Sequence, residues 1–210
     1  GGLLLFIVVT GNWEPAMVSV YLCGIGVVVA CLIGVPLGIA AAKVRWVDRL
    51  LQPVIDTLQT MPVFAYLIPA IMLFQNGDFT ALLAIIAYAV VAPIRYTAHG
   101  LKQVPPALVE AAITSGCTPR QRLFKVELPL ALPEILLGIN QTIMMALSML
   151  VITALVGTRD LGQEVYAALA KADVGRGLVA GTGVACLAIA ADRLMQAWAQ
   201  ARKRRMGIAA

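Results

Sequence analysis

Apolar residues dominate four long stretches of this chain: Met17 to Ala42, Phe79 to Ala98, Leu130 to Gly157 and Gly177 to about Arg193. Each is long enough for a membrane-crossing helix, which needs about 20 residues. A fifth stretch, Pro53 to Phe74, is polar in its first half, where Asp56, Thr57, Gln59 and Thr60 precede Met61-Pro62. A carboxylate and hydrogen-bonding groups are costly against lipid, so this half is expected to face protein or water. The pattern therefore predicts an all-α polytopic bundle with about five spans in one transmembrane domain, residues 1–210. Leu3 to Val9 is apolar but too short to cross, and the first residue is Gly1 rather than Met, so the natural N-terminus is expected upstream.

Within the first span, Gly26, Ala30, Gly34, Gly38 and Ala42 recur every four residues and form one small-residue stripe. Such stripes let helices approach closely in lipid. Pro36 is expected to kink this helix. In the stretch Leu130 to Gly157, Asn140, Met144 and Ser148 share a face at i, i+4 and i+8. Asp56, Gln59, Thr60, Asn140, Met144 and Ser148 are the candidate lining of a polar pathway, with interhelical hydrogen bonding as the alternative. Thr10 to Pro15, Gln75 to Asp78 and Thr158 to Asp173 read as polar segments on one side of the bilayer, the last with a short amphipathic helix over LGQEVYAALAK.

The loop of about residues 99–129 is different in character. Its stretch Glu110 to Pro129 is polar and basic between two apolar spans. Pro105 and Pro106 suit a helix start. Gly116 suits a left-handed stop. Thr118, Pro119 and Gln121 then read as an N-cap, an N1 proline and an N3 partner, a capping box. Pro129 is expected to end the second helix near Leu128. A helix–turn–helix between spans follows.

Charge placement orients the bundle. Lys43, Arg45, Arg49, Arg120, Arg122, Lys125 and the Arg202-Lys203-Arg204-Arg205 tail fall on one side, and only Arg159, Lys171 and Arg176 on the other. The basic side is cytoplasmic, which puts the motif loop and the C-terminus inside. The composition agrees, with 60% hydrophobic and 13% charged residues and a mean hydropathy of +0.88, far from the about 25% charge of soluble domains. Cys23, Cys31, Cys117 and Cys186 lack metal-site spacing. There is no G-x-x-x-x-G-K-[ST], HExxH or GxSxG, so no catalysis and no ATP site are expected on this chain. His99, without a partner cluster, reads as an interfacial residue.

Glu110-Ala111-Ala112, three residues, Gly116, nine residues, Val126, one residue and Leu128-Pro129 resembles the EAA loop of bacterial ABC-importer permeases. The family usually has Ile where Val126 stands. Gly138-Ile139-Asn140-Gln141-Thr142-Ile143-Met144, Ala146-Leu147-Ser148-Met149, Val151-Ile152, and Gly157 followed by Leu161-Gly162-Gln163-Glu164-Val165 is similar to the quaternary-amine subfamily. That subfamily takes up glycine betaine, proline betaine, choline or carnitine. The similarity runs from about Met17 to Arg193.

The resemblance implies a type I importer permease fold. It implies that Glu110, Ala111, Ala112, Gly116, Val126, Leu128 and Pro129 form the surface that docks into a separate ATPase subunit. ATP and Mg would then belong to that partner, with no cofactor or metal here. It also implies a second permease subunit as a homodimer, an extracytoplasmic substrate-binding protein or domain, and residence in the bacterial inner membrane. No nucleic-acid partner is expected. The alternatives are a permease for methionine or another small solute, a stand-alone secondary transporter or channel, and a non-transporting membrane scaffold. A stand-alone transporter would call for broken helices and intramembrane charges, which the sequence does not display clearly.

Overall fold

The computed structural model describes residues 8–205, with side chains described through 201. Most of the short apolar piece from Leu3, and the side chains of the basic Arg202–Arg205 tail, lie outside the described residues. Helix α1 (Trp13–Lys43) runs through Pro36 without interruption. It is followed by α2 (Arg45–Thr60) and α3 (Phe64–Phe74), then by α4 (Asp78–Ala89) and α5 (Val91–Lys102), which together make one 25-residue span. The loop helices are α6 (Pro106–Thr114) and α7 (Pro119–Arg122). A π-helical turn (Leu123–Glu127), α8 (Leu128–Thr153) and a 3-10 turn (Ala154–Val156) follow. Helices α9 (Leu161–Ala170) and α10 (Val174–Arg205) complete the chain. Four helices are long and apolar enough to cross a membrane, and the bent α2–α3 pair makes up to five.

Two sequence expectations are corrected. The expected single span from Pro53 to Phe74 is instead two helices bent by 97°. Met61, the residue before Pro62, sits at φ −66° and ψ 135°, the extended region that a following proline ring favours. The Tyr66 hydroxyl donates to the Leu58 carbonyl across the break, so a carbonyl freed at the end of α2 is satisfied.

The second correction concerns Pro129. The loop's second helix does not stop at Leu128. It continues into α8 as one stretch from Pro119 to Val156. Leu128 keeps helical angles, φ −63° and ψ −43°, and donates its N–H to the Leu123 carbonyl five residues back. The wide turn arrives just where a regular bond from residue 129 would be missing, and Pro129 falls in the tolerated opening positions of α8. The span expected from Leu130 is therefore a rigid extension of the loop helix.

The small-residue stripe is a packing seam. Gly26, Ala30, Gly34 and Gly38 are buried. A Cβ on Gly26 would lie 2.7 Å from Ile85 Cγ2, on Gly34 2.5 Å from Pro93 Cγ, and on Gly38 2.7 Å from the Ile94 carbonyl oxygen. Helix α1 thus lies parallel to α4 and α5 with no room between backbones. Helix α8 crosses α5 in the opposite sense, and the glycines again mark the contact. Gly100 faces Glu134 and Gly138 faces Tyr96, with ideal Cβ distances of 2.7 and 2.6 Å. These seams hold α1, α4, α5 and α8 in close contact.

Candidate functional site

Helix α6 ends in a Schellman motif. Gly116 holds φ +76°, its N–H donates to the Ile113 carbonyl at 3.0 Å, and the Cys117 N–H donates to the Ala112 carbonyl at 3.1 Å. Helix α7 opens with the expected capping box. The Gln121 N–H donates to Thr118 Oγ1 at 3.3 Å and the Thr118 N–H to Gln121 Oε1 at 3.0 Å. Two strong local signals thus fix the turn between the helices.

Between α6 and the π-turn with the start of α8 runs a groove of about 670 Å³, lined in part by Ala111, Ala112, Lys125, Val126 and Pro129. Four residues of the EAA-like pattern, Ala111, Ala112, Val126 and Pro129, line this surface, and two more, Glu110 and Leu128, are their chain neighbours. Leu108, 44% exposed, and Leu130 add apolar lining, and elsewhere on the loop Ile113 and Phe124 are 53% and 66% exposed. The loop thus leaves an open groove with alanines and apolar side chains in its lining, and exposed apolar surface of this kind is uncommon on an isolated domain.

Under this loop lies a charged group that the sequence reading did not single out. Glu127 is 3% exposed. Lys43, at the end of α1, donates to its Oε2. Arg122 Nε lies 3.1 Å from its Oε1. The buried carboxylate ties the loop helix to the end of the first span.

The candidate pathway residues separate. Gln59 lines a cavity of about 410 Å³ together with Arg95, Tyr96, His99, Gln141 and Met145. Its side-chain oxygen accepts from Arg95. Thr60 and Asp56 are exposed on α2 near it, and the Thr60 hydroxyl donates to the Asp56 carbonyl at 3.0 Å. Ser148 is exposed on α8 and Met144 is half-buried there. Asn140 points elsewhere and donates to Asp192 Oδ1 on α10 at 2.9 Å, an interhelical bond of the kind the sequence had left as the alternative. His99 sits within 2.8 Å of the Gln103 amide nitrogen. Helix α5 presents Ala92, Arg95, Tyr96 and His99 at helical spacing on the cavity face. That spacing is readable in the sequence and Gln59 is among the pathway candidates, but that Gln59 and Gln141 stand opposite this face comes only from the fold.

On the other end of the bundle, α9 occupies the expected amphipathic segment. Asp160 caps it by accepting from the Gln163 N–H at 2.9 Å. Burial pushes the Asp160 carboxyl above its ordinary value, partly offset by the bond from Gln163. Arg176 Nη2 pairs with Glu164 at 2.6 Å beside a polar cavity that includes Trp13.

Spans joined by a capped helical loop with an open groove define a polytopic helical membrane protein. The chain belongs to the binding-protein-dependent transport system inner membrane component family, whose model matches residues 34–205. It is 45% identical over 186 residues to the glycine betaine transport system permease protein OpuAB of Bacillus subtilis (strain 168), covering 89% of this chain and 66% of that protein. It is 43% identical over 187 residues to the glycine betaine/proline betaine transport system permease protein ProW of Escherichia coli (strain K12), covering 89% of this chain and 53% of that one. It is also 43% identical over 209 residues to the trimethylamine N-oxide transport system permease protein TmoV of Pelagibacter ubique (strain HTCC1062), covering 99% of this chain and 29% of that one. The chain thus spans between 29% and 66% of the length of these relatives. Among solved structures, the MetNI methionine ABC transporter in an inward-facing form matches with a TM-score of 0.83 over 91% of this chain and 95% of that one. At 17% identity this likeness shows the type I importer permease fold and nothing about the solute.

Proposed function

We propose that this chain is the transmembrane subunit of an ATP-driven importer for betaine-like osmolytes. The observation that supports it best is the groove between α6 and the π-turn, where residues of the EAA-like pattern converge. The groove would seat in a cleft of a separate ATPase, with Glu110 meeting a basic group there. ATP and Mg act on that partner. A substrate-binding protein or domain engages the outer segments Gln75–Asp78 and Thr158–Asp173, and a second permease subunit completes the pathway. The loop and the C-terminus face the cytoplasm. Names of the relatives support glycine betaine and similar solutes, whereas the methionine-transporter likeness rests on fold.

The decisive experiment is co-expression with the ATPase and reconstitution with the binding protein. Glycine betaine uptake should require ATP and all three components. Uptake without an ATPase would return the chain to the stand-alone transporter class. Absence of uptake together with normal ATPase binding would leave the scaffold.

The coupling role has its own test at Gly116. No neighbour lies within 4 Å of a Cβ there, so any cost comes from the backbone at φ +76°. A left-handed L-residue costs about 1–2 kcal/mol, and Asn tolerates the region best. Loss of ATPase association should therefore rank Gly116→Val above Gly116→Ala above Gly116→Asn, with normal membrane levels throughout. Glu110→Ala should weaken stimulated hydrolysis without altering membrane levels. Normal association and hydrolysis in Gly116→Val and Glu110→Ala would remove the coupling role.

A further inference from the structure

Arg95 carries a charge that the fold does not answer. Among the described residues its guanidinium has one hydrogen-bond partner, the side-chain oxygen of Gln59, and no ion-pair partner. The carboxylate in the adjoining cavity, Asp48, is already held by Lys102 at 2.7 Å. Arg95 lies seven residues from the end of the Asp78–Lys102 span, about 10 Å along a helix. A guanidinium at that depth is expensive unless it faces protein or a polar cavity.

The cavity it faces is polar by construction. Gln59 comes from the last turn of α2, just before the 97° bend. Gln141 comes from α8, one turn before Met145. Tyr96 adds an aromatic ring with a hydroxyl, and His99 adds an imidazole. Gln141, Arg95 and His99 are exposed, although each belongs to a span. Three polar side chains around one cavity are costly against lipid, so this surface is suited to water, a ligand or protein.

We propose that the cavity beneath the α2–α3 bend is a substrate subsite in which Arg95 receives a carboxylate and Tyr96 faces a quaternary ammonium. The proposal rests on the importer reading given above and narrows its substrate class to zwitterions. The guanidinium fork matches a carboxylate with two parallel hydrogen bonds. Gln59 fixes that fork from one side and leaves its other N–H groups free. The ring of Tyr96 attracts a methylated ammonium through its face. A single arginine, one ring and neutral amides hold such a ligand loosely, as a carrier that must release its cargo requires. The volume, about 410 Å³, lies within the roughly 300–1,000 Å³ range of small-molecule sites.

The test uses proteoliposomes that contain the permease with its ATPase and its substrate-binding protein. ATP-driven uptake of radiolabelled glycine betaine is measured for the unaltered protein, Arg95→Gln and Arg95→Lys, with ATPase association and basal hydrolysis as structural readouts. Arg95→Gln should lower the maximal uptake rate about tenfold, with the half-saturating concentration of binding protein unchanged. Arg95→Lys, which keeps the charge but not the fork, should recover part of that rate. ATPase association should be unaltered in both. Full-rate uptake by Arg95→Gln overturns the subsite, as does a loss of ATPase association that parallels the loss of uptake. Absence of glycine betaine uptake by the unaltered protein overturns the importer reading instead, and the subsite with it.

Discussion

Replacing Gly38 by valine should prevent the bundle from assembling, and even Gly38→Ala should destabilise it measurably. A Cβ at Gly38 would lie 2.7 Å from both the Ile94 carbonyl oxygen and Thr97 Cβ. The first of these is backbone and cannot rotate away, so α1 and α5 must separate. Overpacking of this kind costs about 1–3 kcal/mol for a small addition, and valine adds two further methyl groups at the same point. Gly26→Ala should be milder, because the atom it meets is Ile85 Cγ2, a side-chain tip. Gly181→Ala should be silent, since nothing lies within 4 Å of its Cβ. Thermal unfolding of detergent-purified protein would give the ranking. If Gly38→Ala unfolds at the same temperature as Gly181→Ala, the α1–α5 seam is not the close contact described.

That seam was legible in the sequence because one period carried it. Small residues every four positions define a stripe, and a stripe in a membrane helix implies a neighbour. The caps around Gly116 and Thr118 were legible for the same local reason, since each needs only three or four consecutive residues. The two prolines were read less well. Pro62 and Pro129 place the same restriction on the preceding residue, yet Met61 became extended while Leu128 stayed helical. The difference lies in what precedes each one. At Leu128 a π-turn already shifts the hydrogen bonds, Arg122 holds Glu127 from one turn back, and Lys43 holds it from outside the local sequence.

The functional residues follow the same division. The EAA-like pattern is contiguous enough to be read along the chain, and the fold brings most of it to one groove. The cavity at Arg95 is assembled from three helices, so only Gln59 of its polar lining had been picked out beforehand. Asn140 and Ser148 share a face by spacing alone, but Asn140 is committed to Asp192. Periodicity reports which residues lie on one side of a helix. It does not report which helix, if any, stands opposite.

Glu127 is where distance along the chain hid the most. Lys43 is 84 positions away, so no local signal could pair them. Breaking a buried ion pair by removing one partner costs about 3–5 kcal/mol. Here the side chains of Lys43 and Arg122 retain 32% and 28% exposure, so both cations can recover water, and Glu127→Gln should cost about 2 kcal/mol. Lys43→Met alone leaves the carboxylate with Arg122 and should cost less. The double variant should be more stable than the sum of the two losses predicts, because removing Lys43 also removes one of the two cations left facing each other by Glu127→Gln. The same link fixes the loop helix to α1, so Glu127→Gln should also reduce substrate-stimulated ATP hydrolysis in the reconstituted complex. Thermal midpoints for the four-member cycle and hydrolysis rates for each member would check both effects. Strict additivity of the midpoints would show that Glu127 and Lys43 do not act as a pair, and unaltered hydrolysis would show that the loop keeps its aim without them.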